Sequence, residues 1–143
     1  MIHRLITASL GALTLASCSP VPAAAPSRPS GGPQCAILES SDWAAWVNAM
    51  PGPNARPTLI VTGKVTVPTG GYTFAWRDMR VMESYPVQVA ADLQIIPPAG
   101  GATQAIVTHD VRGQWRISPP VGSMTVSCGD RVLARIAPVE TAH

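Results

Sequence analysis

The sequence predicts a mainly β domain: an antiparallel β-sandwich or small barrel of about six to seven short strands with one short N-terminal helix. Three observations lead there. Apolar and polar residues alternate with a period of two over Thr58 to Val67 and again over Pro86 to Ile96. Gly- and Pro-rich breaks separate such runs at intervals near ten residues. Charged residues make up 13% of the chain against 46% hydrophobic, a balance that suits a small apolar core and not a disordered body.

Each element has its own signal. Ser40, Ser41 and Asp42 are N-cap candidates, and Trp43, Trp46, Val47 and Met50 follow at i, i+3, i+4 and i+7, one face of a short helix that Pro51-Gly52-Pro53 stops. The first strand is Thr58 to Val67, with Leu59, Val61, Gly63, Val65 and Val67 on one face. Gly63 in its middle marks a bulge or the close approach of another backbone or ring. Pro68 to Gly71 turns the chain, and Tyr72, Phe74 and Trp76 share a face of a second strand running to about Val81. Pro86 to Ile96 is the third, ended by Pro97-Pro98-Ala99-Gly100-Gly101. Thr103 to Val111 and Gln114 to Ile117 read as two strands about Arg112-Gly113. Met124, Val126 and Cys128 form an inward row, Gly129-Asp130 a tight hairpin, and Val132, Ala134 and Ile136 lie on the return strand.

Ahead of this domain the chain has a different character. Met1 to Arg4 is a short basic opening and Leu5 to Leu15 an apolar run, too short to span a bilayer as a mature helix and flanked as an export signal is. Leu15-Ala16-Ser17-Cys18 resembles the lipobox of bacterial lipoproteins. That resemblance implies removal of residues 1–17 as a signal peptide and lipidation of Cys18 (thioether diacylglycerol and an N-acyl chain such as palmitate) as the new N-terminus. Several acyl chains anchor firmly, each buried CH₂ contributing about 0.8 kcal/mol. Ser19 in place of Asp after the cysteine implies the outer membrane, facing the periplasm. Residues 18–34 then form a Pro/Ala/Ser-rich tether that could reach roughly 50 Å if extended. Residues 35–139 are the single β domain.

With Cys18 taken by lipid, Cys35 and Cys128 remain in an oxidising compartment and are expected to form a disulfide. Closing a loop of about 90 residues contributes roughly 4–5 kcal/mol in the chain-entropy model. The bridge would pin the Trp-bearing segment against one end of the sandwich. The competing reading of free or catalytic thiols lacks a base partner near either cysteine.

The run Asp42 to Pro53 with its two tryptophans, the strand Leu59-Ile60-Val61-Thr62-Gly63-Lys64-Val65 and the late Cys128-Gly129-Asp130 resemble a group of small uncharacterised bacterial lipoproteins. The resemblance covers about Cys35 to Ile136 and implies no activity.

Composition excludes some function classes. A net charge of +2 is spread over isolated arginines with no basic run, so a nucleic-acid groove is not expected. No C-x-x-C or H-E-x-x-H spacing suggests a metal or cofactor, and Met79 and Met82 would face opposite ways on a strand. His109 and Asp110, as strand neighbours, cannot address one substrate atom together, and His109 is expected as a surface or satisfied edge residue. Ser118, Ser123 and Ser127 lack a nucleophile-elbow pattern. An enzyme is not expected. The leading expectation is a non-enzymatic binding or assembly module for another envelope protein, working through a sheet edge or through Trp43 and Trp46. The alternative is a protease inhibitor or small-ligand capture protein of the periplasm, using loops around Pro97 to Gly101 or Ser118 to Gly122.

Overall fold

A computed structural model describes residues 34–53, 55–118 and 120–143. The signal-like segment, Cys18 and the tether up to position 33 lie outside the described residues. Nine strands follow one another: β1 (Glu39–Asn48), β2 (Thr58–Val67), β3 (Thr73–Trp76), β4 (Arg80–Met82), β5 (Val87–Ile96), β6 (Val107–Arg116), β7 (Val121–Cys128), β8 (Arg131–Ile136) and β9 (Glu140–Ala142). They form two facing sheets, one ordered β6-β2-β1-β9 and the other β3-β5-β7-β8 with β4 also against β5. The architecture is a sandwich with no closed barrel.

The sheets are mixed, which corrects the purely antiparallel expectation. Between β5 and β7 the chain crosses to the other sheet to make β6, and it returns in the same direction, so β5 and β7 pair in parallel. The last strand, β9, has no counterpart in the sequence reading. It pairs in parallel with the end of β1, Trp46 against Glu140 and Asn48 against Ala142. The break expected at Arg112-Gly113 is also absent, because ten consecutive pairs with β2 hold β6 as one strand.

The larger correction concerns residues 43–50. They carry helical spacing, yet among the described residues there is no helix, and Glu39 to Asn48 is the strand β1. Eight register pairs with β2 decide the matter. A two-turn helix has little stability of its own, whereas the strand satisfies its backbone along β2 and buries Ala45 and Val47. The Asn48 side-chain oxygen accepts from the Met50 N–H at 3.1 Å and turns the chain as the strand ends.

The alternating face read from β2 is the core. Leu59, Val61, Val65 and Val67 are fully buried, with Val89, Ala91 and Leu93 of β5 and Met124 and Val126 of β7 across from them. Each large aliphatic side chain buried this way contributes about 1.5–3 kcal/mol. The Cys35–Cys128 disulfide joins the segment before β1 to the end of β7, with Cα atoms 5.4 Å apart, and so ties one sheet to the other. Nearby, Arg131 Nη1 donates to the Ile37 carbonyl at 2.7 Å.

Candidate functional site

Trp43 and Trp46, expected on one face, stand on opposite faces of the first sheet. A bulge between Ser41 and Ala44 sets both Asp42 and Trp43 against Gly63. Asp42 takes up the irregularity with φ of 55° and turns out to Lys64, its carboxylate 2.9 Å from the ammonium. That hydrogen bond and charge hold the Lys64 ammonium above its ordinary pKa. Trp43 turns inward, packs against both halves of the core, and lies on Gly63 so closely that a Cβ there would overlap the ring. The close approach expected at Gly63 is this ring. Trp46 pairs with Ile60 instead, and since Val47 and Leu59 point inward, these two point outward. Ile60 is nonetheless buried, with Trp46 on one side and Gln114 on the other.

The two sheets are also pinned along one side. Phe74 of β3 meets His109 of β6 with ring centroids 5.2 Å apart. Trp76 donates from Nε1 to the Arg112 carbonyl at 2.9 Å and stacks edge-on against Trp115, also at 5.2 Å. Gly113 makes room, since a Cβ there would strike both tryptophans. His109 stands on the edge strand β6, as one form of the expectation had it, but it is half-buried, turns into the sandwich, and is not satisfied: its buried Nε2 has no hydrogen-bond partner among the described residues. Asp110 is exposed on the other face, opposite Lys64, so the adjacent pair does not converge.

Ser127 does meet a carboxylate. Its Oγ donates to Asp92 Oδ1 at 3.2 Å, and the Gly129 N–H donates to the same oxygen at 3.0 Å. Asp92 Oδ2 lies 3.7 Å from Arg77 Nε. These residues line a groove of about 750 Å³ on the outer face of the second sheet, beside Asp78, Arg80 and Asp130. Asp92 thus serves as a multiple acceptor that fixes the β7–β8 hairpin, and the nearest imidazole-bearing strand, β6, belongs to the other sheet.

The remaining feature was not anticipated. β3 and β4 are one edge strand broken by Arg77-Asp78-Met79, where three residues span two of β5. Beyond the break, Met79 packs on the core while Val81, Met82 and Tyr85 are 51%, 45% and 89% exposed. Val81 pairs with Val89, which is fully buried, so Val81 lies on the core side of its sheet and is still half open to solvent. Met82 pairs with exposed Gln88 on the outer face, away from Met79. The signal in the sequence is Arg80-Val81-Met82 followed by Tyr85-Pro86, apolar residues on both faces of a short strand.

The chain matches no family model, no curated protein and no solved structure. The likeness to small lipoproteins rests on the quoted residues alone.

Proposed function

We propose that this chain is a membrane-tethered, non-enzymatic binding or assembly module of the bacterial cell envelope, anchored through Cys18 in the outer membrane and acting on another envelope protein in the periplasm. The observation that carries the reading is the open β4 edge. Val81, Met82 and Tyr85 expose large apolar side chains beside a strand whose main chain pairs on one side only. Large apolar side chains left exposed on both sides of an unpaired edge suit an interaction through that edge, and pairing along an edge needs few special side chains.

The position of that edge supports the reading. The tether joins the domain at Cys35, which is bonded to Cys128 at the level of Asp92 and Leu93. β4 pairs with residues 88–90. The centre of the edge, at Val89, is therefore offset from the level of the disulfide by roughly 13 Å along β5, four residues at about 3.3 Å each.

Photo-crosslinking in cells from the full chain tests this, with the crosslinker at Met82, at Val132 or at Lys64 in turn. One envelope protein should be trapped reproducibly and identified by mass spectrometry, and Cys18→Ala should remove both the acyl mass and the adduct. No specific adduct from any position, or a mature chain without lipid, overturns the reading.

A further inference from the structure

We propose that the end of the sandwich where the tether enters docks on the lipid surface that holds the anchor, with Leu38, Ile96 and Ile106 set among head groups and upper acyl chains. This rests on the membrane-tethered reading above and deepens it.

Contacts around the tether's entry fix the place. Gln34, where the described residues begin, lines a narrow cleft with Ile95 and Cys128. Leu38 lies at that same end, its N–H donating to the Thr66 carbonyl at 2.8 Å. Ile96 is the last residue of β5, and Ile106 stands directly before β6, past the Val67–Val107 pair that ends β2. Leu38, Ile96 and Ile106 are 47%, 43% and 70% exposed. Between them the turn after β2 and the loop from β5 to β6 make one continuous surface. The Gly70 N–H donates to the Thr103 carbonyl at 3.0 Å, and a Cβ added at Gly71 would sit 3.1 Å from that of Pro98.

This surface is marked by its lack of charge. Residues 65–76 and 93–108 supply the turn, the loop and the strand ends beside them, and contain no Asp, Glu, Lys, Arg or His. The opposite end also exposes apolar side chains, Met50, Met82 and Tyr85, but carries Arg56, Glu83 and Arg116 with them. At the tether's end the charges of Glu39, Asp130 and Arg131 belong to β1 and the β7–β8 hairpin, outside these two segments. Arg131 is moreover turned to the Ile37 carbonyl. Charged groups resist leaving water, whereas an uncharged apolar face enters the head-group boundary readily.

The occupant follows from where the tether leads. Residues 18–34 reach roughly 50 Å at full extension. This end of the domain is therefore kept near the bilayer at high effective concentration, where a weak contact suffices. A soluble partner has no such advantage.

The experiment uses the full lipidated chain in vesicles of phosphatidylethanolamine and phosphatidylglycerol with brominated acyl chains. An environment-sensitive fluorescent amino acid replaces Ile106 in one sample and Met50, at the far end, in another. Bromine should quench the fluorophore at Ile106 at least about twofold more than the one at Met50. The quenching should persist at high salt, since no charge carries the contact. With the fluorophore at Leu38, Ile106→Asp should remove about half of the quenching or more. The melting temperature in detergent should not change, because Ile106 is exposed. Equal quenching at the two ends, quenching lost at high salt, or no effect of Ile106→Asp overturns the proposal. So does an in-cell adduct between Ile106 and a protein, a second copy included, which leaves the binding-module reading standing. Intact mass of the same samples separates the two failures. Acyl mass on Cys18 without quenching at Ile106 overturns the docking alone, and a chain without acyl mass overturns the tethered reading with it.

Discussion

The Trp43 ring lies flat against Gly63, in the space a Cβ would need. Trp43→Ala should therefore cost about 3–5 kcal/mol, and Gly63→Ala about 1–3 kcal/mol by overpacking. The double variant should be less destabilised than the two losses added together, because removing the ring makes room for the methyl group. Urea denaturation of the three variants measures the coupling, and strict additivity would mean the ring does not rest there.

Trp46 is the control for orientation. It lies on the outer face over Ile60, outside the core clusters that contain Trp43. Trp46→Ala should cost below about 2 kcal/mol, clearly less than Trp43→Ala. Equal losses would place both rings in the core.

Trp76 Nε1 is the one side-chain hydrogen bond described between the β3 and β6 edges. Trp76→Phe keeps a ring but drops the donor, and should cost about 1–2 kcal/mol. Hydrogen exchange should quicken in β3 and β6 before it does so in β1 or β7, which lie inside their sheets.

Asp92 should behave as a structural acceptor. Asp92→Ala strands the Ser127 hydroxyl and the Gly129 N–H, and a loss of about 1–3 kcal/mol is expected. Asp92→Asn keeps one acceptor and should lose less. Denaturation midpoints of the two variants give the comparison.

The Cys35–Cys128 bridge closes a separation of 93 residues. Cys35→Ser with Cys128→Ser should lower stability by about 4–5 kcal/mol in the chain-entropy model. The same loss should appear when the wild-type chain is reduced with dithiothreitol, and calorimetry with and without reductant checks it.

Some of this was legible in the residues. β2 reads directly from its alternation, because a strand between two others with one face in the core must repeat every second residue. The partnership of Cys35 and Cys128 followed from counting cysteines once Cys18 was set aside. Gly63 announced a close neighbour, though not which one.

The rest belongs to contacts distant in sequence. Trp43, Trp46 and Val47 fit a helical face and a strand equally well over so short a span, and only pairing with β2 chose the strand. Once the segment is a strand, alternation alone sends Trp43 inward with Ala45 and Val47 and leaves Trp46 outside, while the extra residue at Asp42 reverses the face of the residues before it, which no periodicity records. The parallel neighbours β5 and β7 depend on where the chain crosses between sheets. The open edge at β4 is decided in the same way. Val81 is apolar and faces the core side, and whether it is covered depends on how far the neighbouring strands extend, which its own sequence neighbourhood does not contain.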